Sequence, residues 1–322
     1  MTSIRRLAFS SITGARLIES GLDVVVTGGG GWLGQATLEM LESAFGPQVA
    51  SRVHVFGASR RALTLRSGTQ LEVHPLAELP RLAVGPHLLA HYAFATREFV
   101  AELGPVEYIS RNEVIASLVG EHVLRSRPVG VFVPSSGAVY LGDDLSTNPY
   151  GVLKVRDERR FLDLAEGTGG MSPAPRVVIP RLFNLAGPFL NKPDRYVLGS
   201  VIEDIGRGGP VRLTATRPVV RSYVHVADLV DLALVMVGDG PVPDGPFDTA
   251  GEREIEVGEL AELAISVLDR PDTAIERPPL DGTGPDRYVG DPSAMRSLAR
   301  SYGVELTPLV RQIEDTARYL GV

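Results

Sequence analysis

Apolar residues along this chain fall into two alternating kinds of run. Short, unbroken apolar runs occur at 22–28 (LDVVVTG), 52–57 (RVHVFG), 70–73 (QLEV), 87–93 (HLLAHYA) and 130–136 (GVFVPSS). Runs of this kind, rich in β-branched residues, suit strands covered on both faces. Between them lie longer segments with helical spacing. Leu33, Leu38, Leu41 and Phe45 mark one face over 32–45, and 112–124 (NEVIASLVGEHVL) is strongly amphipathic. Alternation of the two predicts an α/β fold built on a parallel, doubly wound sheet. A charged helix follows from Tyr150 to about Glu166, then a loop over 167–175 and another buried strand over 176–184.

Beyond that strand the pattern changes. Segments 186–199 and 206–210 are rich in Pro and Gly, and helical spacing returns at 259–269 and 309–320. The expected organisation is a dinucleotide-binding domain of residues 1–183 and 222–250, with a smaller, partly interleaved C-terminal α/β substrate domain of 184–221 and 251–322. The first 21 residues read as a leader strand or arm.

Composition narrows the classes. A net charge of −7 argues against a nucleic-acid binder that relies on bulk positive charge. The chain has no cysteine, which excludes disulfides, thiolate metal sites and cysteine nucleophiles. No apolar run approaches the roughly 20 residues that span a bilayer, and no secretory h-region opens the chain, so the expectation is a cytoplasmic protein with no membrane partner and no bound metal. The basic residues are 30 arginines and two lysines, Lys154 and Lys192, so each lysine invites a reason.

Two segments carry chemistry. VVVTGGGGWLG spaces Gly28, Gly31 and Gly34 as G-x-x-G-x-x-G between a strand and a helix. Glycines there let the backbone approach a pyrophosphate, and the helix opening at Trp32 and Leu33 offers N–H groups and a positive dipole end to the anion. NPYGVLK places Tyr150 and Lys154 at i,i+4, on one face of a helix. With nine tyrosines and two lysines in the chain, chance supplies about 0.06 such pairs. An ammonium beside a phenol favours the phenolate, so Tyr150 can exchange a proton with a substrate oxygen near neutral pH, while Lys154 can also donate to a cofactor ribose. Ser135 and Ser136 end a strand just upstream, at the edge where such sheets bind ligands. Ser136 is the preferred hydroxyl for the reacting oxygen.

Together these segments resemble the extended branch of the short-chain dehydrogenase/reductase superfamily, the NAD(P)-dependent nucleotide-sugar epimerases, dehydratases and reductases. TGGGGWLG, SSGAVY, NPYGVLK, PRLFNLAGP, RSYVHVADLV and YVGDPSAMRSL are similar to that branch's motifs and stand in its order. The resemblance implies a Rossmann-type fold and a homodimer. It implies Tyr150 as general acid/base, Lys154 on the nicotinamide ribose, Ser136 on the reacting oxygen, and Asn184 and Arg221 as ligands of a nucleotide-sugar, with Arg277 a second candidate for its diphosphate. His91 is similar to an H-x-A segment of the family beside the cofactor and reads as a packed, hydrogen-bonded histidine. Gly137 and Ala138 stand where the family's 4,6-dehydratases carry an Asp-Glu pair, which argues against water elimination. A keto-sugar reductase is the leading expectation; a 4-epimerase holding NAD and a non-catalytic dinucleotide sensor are the alternatives.

The segment RVHVFGASRR bears on the cofactor. An NAD-binding turn commonly ends its second strand with an acid that accepts from the ribose 2′-hydroxyl. From Ser43 through Leu71 there is no acid, while Arg60 and Arg61 follow the strand and Ser59 adds a hydroxyl. Arginine offers charge-assisted bonds to a 2′-phosphate, so NADP(H) is favoured over NAD(H).

Overall fold

A computed structural model describes residues 6–167 and 173–322. Part of the loop expected over 167–175 and of the N-terminal arm therefore lies outside the described residues. The chain divides into two compact units, a larger one of Leu7–Leu182 and Val230–Phe247, and a smaller one that contains Phe183–Leu229 and Asp248–Val322.

In the larger unit the chain runs α1 (Ser11–Glu19), β1 (Asp23–Thr27), α2 (Trp32–Phe45), α3 (Val49–Arg52), β2 (Val53–Gly57), β3 (Arg61–Thr64), β4 (Gln70–Pro75), β5 (His87–His91), α4 (Phe99–Ser126), β6 (Gly130–Phe132), β7 (Ser135–Ser136), α5 (Pro149–Ala165), β8 (Arg176–Val178) and β9 (Pro180–Leu182). Seven strands form one sheet in the order β3-β4-β2-β1-β5-β6-β8. All are parallel to their neighbours except β3, which runs antiparallel to β4. Without β3 the order is 3-2-1-4-5-6, the doubly wound Rossmann arrangement. Its winding reverses between β1 and β5, so the C-terminal ends of those strands open the crevice where ligands bind in such sheets.

Each face of the sheet has its cover. Val25, Leu89, Val131 and Val177 pack with Val119 and Val123 of α4 and Phe161 and Leu164 of α5. On α2, Leu38 comes close to Gly29 beside Val55 of β2. The short pair β7 and β9 lies beside this sheet, with Ser135 opposite Arg181 and Ser136 opposite Leu182.

The edge strand β3 was not expected from sequence, and two helical outcomes also differ from the sequence reading. The N-terminal arm contains a helix, α1, rather than a strand. Ser10 caps it by accepting from the Thr13 N–H, and Thr13 and Leu17 are its buried residues. So short an apolar stripe leaves little periodic signal. The helix is anchored by Asp231, which accepts from the Ser10 N–H at 2.9 Å and from its hydroxyl at 3.3 Å. In addition, α4 begins well before residue 112 and is kinked, because Gly104 takes φ 73° ahead of Pro105.

The smaller unit carries β10 (Asn184–Ala186), α6 (Val197–Gly206), β11 (Val211–Arg212) and β12 (Val219–His225). After α7 (Val226–Gly238) and β13 (Phe247–Asp248) come β14 (Glu254–Glu256), α8 (Val257–Val267), β15 (Ile275–Glu276), β16 (Asp286–Tyr288), α9 (Pro292–Tyr302) and α10 (Leu309–Leu320). Strand β12 is its hub, parallel to β10 and β16 and antiparallel to β14. Ile202 and Ile205 of α6, Leu260 and Ala264 of α8, and Ile313 and Ala317 of α10 close its core. Among the described residues no helix is long and apolar enough to cross a membrane.

Candidate active site

The glycine turn follows β1 directly. Gly28 has φ 73°, and its N–H donates to the Phe56 carbonyl at 2.8 Å. A Cβ on Gly28 would press on the backbone of Tyr92 and Ala93, and one on Gly34 would overlap the Gly28 carbonyl oxygen. Only glycine fits either place. Gly31 closes the turn, its N–H donating to Gly28 O at 3.0 Å. Helix α2 then starts at Trp32 and Leu33 with no side-chain cap, so its first-turn N–H groups and dipole are presented to an anion. This cradle fits a dinucleotide pyrophosphate.

Behind the turn, Thr27 Oγ1 lies 2.8 Å from His91 Nδ1 and accepts from the Ala93 N–H at 3.2 Å. Burial, with the charges of Lys154 and Arg160, pushes the His91 pKa down to about 3. A neutral, buried His91 therefore pins β1 to β5 across the switch point.

At the next corner, β2 ends in Phe56 and Gly57 without an acid, and Ser59, Arg60 and Arg61 are exposed. The structure separates the two arginines. Arg60 donates to Glu72, to Glu78 at 2.6 Å and to His74 at 3.1 Å. Arg61 opens β3, and its guanidinium stands over Gly30, where any Cβ would collide with it. Among the described residues Arg61 has no carboxylate partner.

The proton-transfer candidates lie on β7 and α5, which pack against each other. Asn148 caps α5, accepting from the Gly151 N–H at 3.1 Å, with Pro149 in the first turn. The same side chain donates at 2.9 Å to Ala138 O and to Gly142 O, which fixes the loop ahead of the helix. Tyr150 meets the Phe94 ring edge-on, centroids 5.6 Å apart. Lys154, only 7% exposed, places Nζ 3.9 Å from the centre of that ring and donates to Pro134 O at 3.0 Å. Phe94 is thus a shared wall for both side chains. Burial pushes the Lys154 pKa down, and the nearby Asp157 and Glu158 carboxylates oppose that.

The two serines diverge, as neighbours on a strand do. Ser136 Oγ accepts from the Ala138 N–H at 3.2 Å, while the Ser135 hydroxyl donates to Glu158 Oε1 at 2.5 Å. The turn after Ser136, Gly137–Tyr140, contains no carboxylate.

The remaining candidates lie in the smaller unit. Asn184 donates to Ser222 O at 3.3 Å and Tyr288 O at 3.2 Å. Arg221 donates to Val220 O at 2.9 Å, to Asp286 O at 3.0 Å and to the Asp286 carboxylate at 3.2 Å. Its guanidinium lies 6.0 Å from the Tyr288 ring centre, so Asn184 and Arg221 gather round β16. Arg277 does not join them. It grips Glu256 in two bonds of 2.9 and 2.8 Å. Burial raises the Glu256 pKa, but Arg277 and the Val219 and Gly258 N–H groups outweigh it and hold it at about 2.

Phe94, Glu158, Arg181, Asp286 and Tyr288 escaped the sequence reading. Only Glu158 had a local signal, since it follows Tyr150 and Lys154 at four-residue steps along one helix face. The others take their places, each within its own unit, through tertiary pairing.

A model of the NAD dependent epimerase/dehydratase family matches residues 24–245. The chain belongs to this family. It is 26% identical over 285 residues to UDP-glucuronic acid decarboxylase 6 of Arabidopsis thaliana, covering 83% of this chain and 80% of that one. It is 30% identical over 212 residues to dTDP-4-dehydro-6-deoxy-D-allose reductase of Streptomyces bikiniensis, covering 62% and 61%. In structure it resembles dTDP-glucose 4,6-dehydratase of Streptomyces venezuelae, solved with NAD bound. The TM-score is 0.69 and the identity 17%, over 93% of this chain and 97% of that one. The chain is therefore an enzyme of the NAD dependent epimerase/dehydratase family, and the two curated relatives are named for reactions of nucleotide sugars.

Proposed function

We propose that this enzyme reduces the carbonyl of a nucleotide-activated keto-sugar with NADPH. The observation that carries the reading is the Tyr150–Phe94–Lys154 arrangement beside Ser136. A buried ammonium on the same helix face as Tyr150 stabilises its phenolate, so the phenol can give up a proton at moderate pH. Ser136 hydrogen-bonds the carbonyl oxygen and Tyr150 donates the proton that converts it to a hydroxyl. Lys154 orients the nicotinamide ribose and restrains Tyr150. The dinucleotide, when bound, supplies the hydride. Gly28, Gly31, Trp32, Leu33 and Gly34 hold its pyrophosphate, and Thr27 and His91 keep their turn in place. Asn184 and Arg221 are the ligands we assign to the nucleotide sugar; Arg277, spent on Glu256, braces its own unit.

The preference for NADPH rests on Arg61, with Ser59 as a hydroxyl donor. Arg60 supports the corner through Glu72 and Glu78. The allose reductase relative, the more identical of the two curated relatives above, favours reduction. We assign a homodimer, with the exposed Val114 and Leu124 of α4 as its apolar contact; sedimentation of the purified protein checks this.

A redox-neutral reaction is the second reading. It is favoured by the longer match to the decarboxylase and by the NAD of the dehydratase structure. The same Ser136, Tyr150 and Lys154 serve an oxidation followed by a reduction, as in a 4-epimerase or a decarboxylase. Purified enzyme is incubated with NADPH and dTDP-4-dehydro-6-deoxyhexoses, and separately with UDP-glucuronate or UDP-hexoses and NAD. NADPH oxidation in the first mixture alone supports reduction. Product in the second alone overturns it, and tight dinucleotide binding with turnover in neither favours the dinucleotide-sensor reading.

A further inference from the structure

Glu158 lies buried behind the reacting groups, where a carboxylate is costly unless it is fully bonded. It is 4% exposed, as is Ser135. Arg181 meets it as a fork, Nε to Oε1 at 2.8 Å and Nη2 to Oε2 at 2.7 Å, and the Ser135 hydroxyl donates to Oε1 at 2.5 Å. The third arm of Arg181 donates to the Tyr140 hydroxyl at 2.6 Å. Ser135 and Arg181 face each other across the β7–β9 pair. Tyr140 ends the turn that Ser136 opens and caps.

One carboxylate therefore ties three things together. It sits on α5, four residues after Lys154 and eight after Tyr150, so it reports the position of both. Through Ser135 it grips the strand next to Ser136. Through Arg181 it grips the far end of the Ser136 turn. We propose that Glu158, held by Arg181, is a positioning residue that sets the spacing between Ser136 and the Tyr150–Lys154 pair. Glu158 also opposes, together with Asp157, the effect of burial on Lys154, so it contributes charge as well as position. A carboxylate that merely fastened α5 to the sheet would have no need of the serine adjacent to the reacting one, nor of the tyrosine at the end of its turn.

This inference rests on the roles assigned above to Ser136, Tyr150 and Lys154. The test compares E158Q, S135A and Y150F with the parent enzyme in the reaction it turns over, each checked for folding by circular dichroism. Glutamine keeps the shape but loses the fork and the charge. S135A removes one hydroxyl and leaves the ion pair intact, so it serves where E158Q fails to fold. Misplacement of reacting groups by a fraction of an ångström to an ångström predicts a loss in kcat of about 10- to 100-fold for E158Q. S135A loses several-fold. In both, KM for the dinucleotide stays within about twofold, because the glycine turn is untouched. A purely structural Glu158 would lower Tm in E158Q and leave kcat of the folded enzyme unchanged. Parental kcat in folded S135A, or in folded E158Q, overturns the proposal. An active Y150F instead overturns the functional reading itself, whereas an inactive Y150F beside unimpaired E158Q and S135A overturns only the role of Glu158.

Discussion

The proposed preference for NADPH rests on Arg61. Removing it with R61A deletes a guanidinium that stands over Gly30 and that, among the described residues, has no carboxylate to compete for it. A hydrogen bond to a charged group contributes about 1.5–3 kcal/mol. Arg61 is exposed, so solvent screening reduces that to about 1–2 kcal/mol. The NADPH dissociation constant should therefore rise by about 5- to 30-fold in R61A. NADH has no 2′-phosphate, so its affinity should change by less than about twofold. Arg60 behaves differently, because it would have to leave Glu72 and Glu78 to reach the same phosphate, and R60A should cost less NADPH affinity than R61A. The chain has a single tryptophan, Trp32, at the start of α2, where we place the pyrophosphate, so quenching of its fluorescence is the readout for both titrations. The loss for NADPH should shrink as salt is raised. An R61A protein that loses NADPH and NADH equally, or neither, refutes the assignment of Arg61 to a 2′-phosphate.

Three further outcomes follow from the geometry. Y150F should abolish turnover while dinucleotide affinity, read by the same fluorescence, stays nearly unchanged; full activity would remove Tyr150 from the mechanism. G34A puts a methyl group into the Gly28 carbonyl, and the shift it forces, about 1–3 kcal/mol, should weaken both NADH and NADPH; parental affinity for both would show that the turn is not the pyrophosphate cradle. Burial holds His91 down to about 3 and His122 and His225 to about 4. The unfolded chain takes up protons on these residues below the ordinary histidine value while the fold refuses them, so stability falls as pH drops from about 6.5 to about 4 and returns above that window. Each histidine contributes on the order of a few kcal/mol at the acid end. Melting temperatures across that range should show the slope, and H122Q should flatten it; a slope unchanged in H122Q counts against a buried neutral His122.

The sheet was legible because its determinants are local. Val24, Val25 and Val26 announce a strand buried on both faces, and the glycines after it can form only a tight turn into a helix. Tyr150 and Lys154 need no tertiary knowledge to be placed on one helix face. The N-terminal helix was not legible, since only Thr13 and Leu17 of its nine residues are buried and its anchor, Asp231, lies more than two hundred positions away in the chain. The short strand β3 was equally hidden. It is an edge strand with one buried residue, Leu63, and its pairing with β4 depends on a turn whose residues carry no strand pattern.

That hidden strand changes how the arginines are read. In sequence, Arg60 and Arg61 are adjacent and equivalent, and the acid-free span from Ser43 to Leu71 makes both look available. Folding brings β4 alongside β3, and Glu72 with Glu78 then supplies the acids that the span lacked. They neutralise Arg60 and not Arg61, because successive residues entering a strand point to opposite sides. In the smaller unit both candidate arginines have a carboxylate, but differently: Arg221 holds Asp286 through one bond beside Tyr288, and Arg277 holds Glu256 in a two-bond fork. An arginine-rich chain identifies its ligand-binding cations only after its carboxylates have been assigned, and that assignment is made by strand pairing. On the proposed assignment of Arg61 to the 2′-phosphate, the register of β3 bears on cofactor choice as much as the presence of arginine, and a shift of one residue is expected to exchange the places of Arg60 and Arg61.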